Sequence, residues 1–159
     1  MNAPGTSSIR RAGPADAGIV RAMIGELADY QNEGQHVAIS VDRWRDLLRS
    51  DDVIVLLAEH SGSATGYVSA LRRPHLWSGE DVLALDDLYV REQFRDAGVG
   101  RGLMLGLARY ALPERLAITW GMRPDNHDAQ RFYNRLGARL RPKIVAQWDA
   151  TTYSRSFDD

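Results

Sequence analysis

The run Arg95-Asp96-Ala97-Gly98-Val99-Gly100-Arg101-Gly102 stands between an apolar segment ending Leu88-Tyr89-Val90 and a stretch with helical periodicity. A helix beginning at such a run presents unpaired backbone N–H groups and the positive end of its dipole, and glycines let an anion approach that backbone. The chemistry on offer is the holding of a phosphate or pyrophosphate. Two common phosphate loops do not fit. A Walker loop has Lys and then Ser or Thr after its last glycine, whereas Gly100 is followed by Arg101-Gly102. A dinucleotide fingerprint needs a glycine where Leu103 stands, and an acid ending the next strand, where Ile118-Thr119-Trp120 stands.

Two adjacent carboxylates, Asp86 and Asp87, lie late in the apolar segment before the loop. Either could accept a proton or hold a cation. Strict strand alternation puts them on opposite faces, so both reach one site only if a bulge intervenes; otherwise one acid ends in solvent. Downstream, Tyr133 recurs with Ala129, Phe132 and Leu136 at helical spacing, the pattern of a core tyrosine, and Asn126 is placed to cap that helix. Glu26, Asp29 and Glu33 are spaced to share a helix face, the pattern of a solvated acidic surface or of an attractor for a polycation. His36, His60, His75 and His127 lack metal-ligand spacing, so no metal is expected. Trp44, Trp77, Trp120 and Trp148 are expected in the core or in a pocket wall rather than as a stacking platform for bases. The chain has no cysteine, which excludes a disulfide framework, a thiolate zinc site and a cysteine acyl-enzyme.

The elements that must position these residues follow from periodicity and punctuation. Ile9 to Ala12 reads as a short strand, Gly13-Pro14-Ala15-Asp16 as a helix start, and Val20, Met23, Ile24 and Leu27 as the buried face of a helix fading near Tyr30 to Gly34. Ser40 can cap a second, short helix carrying Trp44, Leu47 and Leu48. Val53 to Ala58 and Gly66 to Leu71 form a hairpin pattern, and Val82 to Val90 reads as a third strand. After the glycines come a helix from Val99 to Leu112, a strand from Leu116 to Trp120, and a helix from Asn126 to Leu136 stopped by Gly137. Two last strands are expected around Ala138 to Leu140 and Val145 to Thr152. Hairpins mixed with helix crossovers predict a mixed sheet with helices on its faces.

With 159 residues, the chain suits one domain over residues 8–159 behind a disordered N-terminal tail of residues 1–7. A net charge of -1 argues against a nucleic-acid partner, and no apolar run is long enough for a membrane span. A cytoplasmic protein is expected.

The spacing Arg95-x-x-Gly98-x-Gly100 after a strand ending Leu88-Tyr89-Val90 resembles the coenzyme A motif of the GNAT family of N-acetyltransferases. The segment from Pro124 to Gly137, with Asn126, Ala129, Tyr133 and Gly137, is similar to that family's later Asn-x-x-Ala-x-x-x-Tyr-x-x-x-Gly segment. Leu85-Asp86-Asp87-Leu88-Tyr89-Val90 and Gly25-Glu26-Leu27-Ala28-Asp29-Tyr30 are similar to its polyamine and thialysine acetyltransferase branch.

The resemblance implies an α+β fold, with a mixed, mostly antiparallel sheet splayed between two strands and helices on both faces. It implies that acetyl-CoA lies in the opening, its pantetheine along Leu88, Tyr89 and Val90. Its pyrophosphate would rest on Arg95, Asp96, Ala97, Gly98, Val99, Gly100 and Arg101, with Asn126 as a further hydrogen-bonding partner. Asp96-Ala97 depart from the family, which often has Gly or a basic residue there, so a negative side chain stands near the phosphates. Asp86 is implied as proton acceptor for the amine, Asp87 as substrate binder, and Tyr133 as donor to the departing thiolate. The implied acceptor is a small-molecule amine such as a polyamine or lysine analogue; a protein or antibiotic amine, or a non-catalytic acyl-CoA sensor of the same fold, are the alternatives. A homodimer using Val145 to Tyr153 is also implied.

Overall fold

The computed structural model describes residues 7–157, which divide into two units, one through Gly121 and one from Met122. The first holds β1 (Ser7–Arg11), α1 (Ala17–Tyr30), α2 (Val41–Leu47), β2 (Val53–His60), β3 (Ser63–Pro74), β4 (Asp81–Val90), α3 (Val99–Ala111) and β5 (Ala117–Thr119). The second holds α4 (His127–Arg135) and α5 (Ala150–Tyr153). Apart from Ser7, the first residue of β1, the tail expected over residues 1–7 lies outside the described residues.

The sheet runs in the order β1-β2-β3-β4-β5, antiparallel throughout except for the parallel β4–β5 pair. The unbroken apolar run of β2 is explained by burial on both faces. Val55 and Leu57, with Tyr67 of β3, join Ala17, Val20 and Met23 of α1 in one cluster. On the opposite face Leu56 and Ile9 meet α3 so closely that a Cβ on Gly106 would lie 3.1 Å from Leu56 Cδ1 and 3.2 Å from Ile9 Cγ2. Helices therefore cover both faces. The β2–β3 turn uses Ser61 and Gly62, with φ of 50° and 79°, the double left-handed turn that matches strand twist.

Local punctuation sets the helix ends. Ser40 Oγ accepts the Arg43 N–H at 3.1 Å and starts α2. α1 ends at Asn32, with φ of 59°: the Asn32 N–H bonds to Asp29 C=O at 3.1 Å and the Glu33 N–H to Ala28 C=O at 2.7 Å.

Two expectations need correction. The strands around Ala138 to Leu140 and Val145 to Thr152 do not form; residues 138–149 have no regular structure and Ala150–Tyr153 is helical behind Asp149. A strand is stabilised by a ladder and a buried face, and here Ile144 and Val145 are 94 % and 85 % exposed. Nor are all the tryptophans internal: Trp77 and Trp148 stand in solvent, whereas Trp44 packs beside the α1 cluster. Among the described residues no helix is long and apolar enough to cross a membrane, and no group of His, Cys, Asp and Glu could hold a metal ion.

Candidate active site

The two edges of β4 are paired unequally. β5 pairs only with Val82, Leu83 and Ala84, so from Leu85 onward that edge of β4 has no ladder partner among the described residues. On the other edge β3 pairs along the whole strand. The Arg91 N–H donates to Thr65 C=O at 2.9 Å, which sets the phase of the antiparallel ladder. In that phase Tyr89 turns its backbone N–H and C=O toward β3, and Leu88 and Val90 turn theirs to the unpaired edge. The Leu88 N–H and C=O and the Val90 N–H thus face that edge, where the Val90 C=O accepts from Arg95 Nε.

A bulge breaks the alternation of β4. Ser69 stands opposite Asp87 and Ala70 opposite Leu85, leaving Asp86 as the inserted residue. Strict alternation is thus interrupted between the two acids, and the Asp86 charge acts on both Asp87 and Tyr67. Asp87 is half-buried; its carboxylate accepts from Tyr67 Oη at 3.1 Å and its backbone N–H donates to Ser69 Oγ at 3.2 Å. Burial pushes the Asp87 carboxyl above the ordinary carboxylate range, the Tyr67 hydrogen bond opposes that shift, and the Asp86 charge adds to it. Asp86 is the more exposed of the pair, and partial burial of its carboxyl raises it as well.

Asp87 also lines a cavity of about 170 Å³ with Ile24, Leu27 and Ala28 of α1 and with Gln31, Glu33, His36 and Val37. Glu26, in contrast, is consumed by structure. Arg91 Nε and Nη2 donate to its carboxylate at 2.9 and 2.6 Å, and Tyr89 Oη donates at 3.2 Å. The Arg91 guanidinium holds Glu26 below the ordinary carboxylate range, so the acidic face expected for Glu26, Asp29 and Glu33 is neutralised at its first member.

Beyond β4 the loop turns through Asp96 and Gly98, with φ of 61° and 78°. Gly98 is the N-cap of α3, and the Gly102 N–H donates to Gly98 C=O at 2.9 Å as the first intrahelical bond. The N–H groups of Gly98, Val99, Gly100 and Arg101 therefore lack intrahelical acceptors and point out of the helix start. Arg95 folds back: its Nε donates to Val90 C=O at 3.0 Å and its guanidinium lies 4.8 Å from the Tyr30 ring centre. Asp96 and Ala97 are exposed.

In the second unit, Asn126 caps α4, its Oδ1 accepting the Ala129 N–H at 3.1 Å, and Gly137, with φ of 86°, ends it. Tyr133 on α4 is 7 % exposed and packs edge-on against Phe132. Burial pushes its phenol up to about 12, so it keeps its proton at neutral pH.

Residues 21–138 match the sequence model of the acetyltransferase (GNAT) family. The chain belongs to this family. It is similar to thialysine N-epsilon-acetyltransferase of Sus scrofa, 30% identical over 151 residues that cover 82% of this chain and 83% of the relative. It is also similar to a D-amino-acid N-acetyltransferase of Saccharomyces cerevisiae, 34% identical over 60% of this chain and 55% of that protein. The fold is shared with an aminoglycoside acetyltransferase from an uncultured soil metagenomic sample (TM-score 0.80, 17% identity, 91% of this chain and 99% of the other). It is shared too with an aminoglycoside N-acetyltransferase in complex with CoA (TM-score 0.77, 18% identity, 94% and 99% covered). This GNAT protein is an N-acetyltransferase.

Sequence reasoning passed over Tyr67, Ser69 and Arg91, which hold Asp87 and Glu26. The available signal was polarity inside an apolar run: Tyr67 and Ser69 interrupt a strand otherwise free of hydrogen-bonding side chains between Gly66 and Leu71.

Proposed function

We propose that this N-acetyltransferase moves the acetyl group of acetyl-CoA directly to the primary amine of a small molecule, a polyamine or a lysine analogue. The observation that supports the reading is the bulge at Asp86, which breaks the alternation of β4 next to the half-buried Asp87. A primary amine is mostly protonated at neutral pH and attacks only after losing a proton. In this reading Asp87 holds the ammonium and Asp86, directly or through water, takes the proton. The free amine then attacks the thioester carbonyl, main-chain donors at the unpaired edge stabilise the oxyanion, Tyr133 gives its proton to the departing thiolate, and the surplus proton of the attacking nitrogen passes through water to restore the phenol. Leu88 and Val90 bind the pantetheine amides through their backbone, Tyr89 braces the strand between them, and Asn126 adds a hydrogen bond. The pyrophosphate rests on residues 95–101. The relatives named for thialysine support a lysine-like acceptor. Residues 8–159 act in this reading as one acetyltransferase domain, in a cytoplasmic homodimer.

The test is incubation with acetyl-CoA and a panel of polyamines, lysine analogues, aminoglycosides and peptides, with products weighed by mass spectrometry. Acetylated polyamine or lysine analogue is expected; acetylation confined to peptides or aminoglycosides, or none at all, overturns the reading. The loop is tested separately by Gly98→Val. A β-branched residue at φ of 78° costs on the order of 2 kcal/mol, so CoA binding in calorimetry should weaken by at least about tenfold. Unchanged affinity would remove the loop from the coenzyme site.

A further inference from the structure

Tyr67 is fully buried among apolar neighbours, with Val20, Met23, Val55 and Leu57 in the same cluster. Phenylalanine would fill that space as well. A tyrosine hydroxyl taken out of water needs a partner, and this one has Asp87 at 3.1 Å. We propose that Tyr67 is a positioning residue for acetyl transfer: while Ser69 holds the Asp87 backbone N–H, the Tyr67 hydroxyl fixes the Asp87 carboxylate, occupying one oxygen and leaving the other for the acceptor ammonium. The inference rests on the reading of Asp87 as the amine-binding acid.

Burial, then the charges of Asp87 and Asp86, push the Tyr67 phenol far above the ordinary tyrosine range, so with Asp87 ionised the phenol is the donor and the carboxylate the acceptor. The charged and titratable groups around Asp87 are Tyr67 from β3, Asp86 on its own strand, and Glu33 and His36 across the cavity. Of the influences on Asp87, burial and Asp86 favour its neutral acid, and the Tyr67 hydroxyl favours the anion. An ammonium is held by the anion. Tyr67 therefore fixes where the negative charge sits and lowers the pH below which it is lost.

Tyr67→Phe keeps the packing and removes only the hydroxyl. The KM for the amine should rise about tenfold at neutral pH, with the KM for acetyl-CoA unchanged and the acid limb of kcat/KM displaced to higher pH. In an Asp87→Ala background the same substitution should leave the amine KM within about twofold. The Asp87 carboxyl carbon, followed by NMR without any turnover, should titrate at higher pH in Tyr67→Phe than in the parent protein. An unmoved carboxyl titration, or an equal rise in KM with and without Asp87, overturns the positioning role. Failure of the parent protein to acetylate any small amine would instead overturn the proposed function, and the NMR titration tells the two failures apart.

Discussion

Tyr133→Phe is expected to lower turnover about a hundredfold or more at saturating substrates, with CoA affinity measured by calorimetry held within about threefold. The exchange deletes one oxygen and keeps the ring that packs against Phe132. Its effect falls on a step that needs a proton. Collapse of the tetrahedral intermediate expels a thiolate, and a phenol pushed up to about 12 still holds its proton when that happens. The same shift predicts that Tyr133 adds no alkaline limb to the rate profile below pH 10. Turnover equal to that of the parent protein would take Tyr133 out of the mechanism.

The second large effect is expected in Asp86→Asn. At neutral pH kcat/KM for the amine should fall about a hundredfold, because an amide cannot take the proton from the ammonium. The sign of the pH dependence follows from its carboxyl. Burial raises it, and a base works only when deprotonated, so parent activity climbs as pH rises through that raised value. The variant should lose the Asp86 share of this limb, keep the share that belongs to Asp87, and regain rate only as the amine deprotonates in solution, which narrows the deficit at high pH. A stopped assay of thiol release across pH measures both. A variant retaining the parental acid limb would assign the base elsewhere.

What could be read from the chain and what could not divide along a physical line. Helix ends and the glycine loop are decided within a few residues. Ser40 and Asn126 cap helices, Gly137 stops one, and the loop before Val99 opens α3 as the spacing predicts. The bulge is different, because its position depends on how β3 registers against β4, and neither strand alone carries that information. The Glu26–Arg91 pair joins residues far apart in the chain, so an acid expected in solvent is tied to a strand end. The last strands failed for the complementary reason. Val145, Trp148, Thr151 and Thr152 are β-favouring types, but neither segment finds a neighbouring ladder, and propensity without pairing does not make a strand.

The inserted residue in β4 has a consequence for how this enzyme can change. Removing Asp86 would let Leu85 and Asp87 follow Ala70 and Ser69 in unbroken register, a more regular ladder with fewer unpaired main-chain groups. The shortened strand would be the sturdier one, and it would carry a single acid. If Asp86 takes the proton as proposed, thermal endurance and catalysis place opposite demands on this one position.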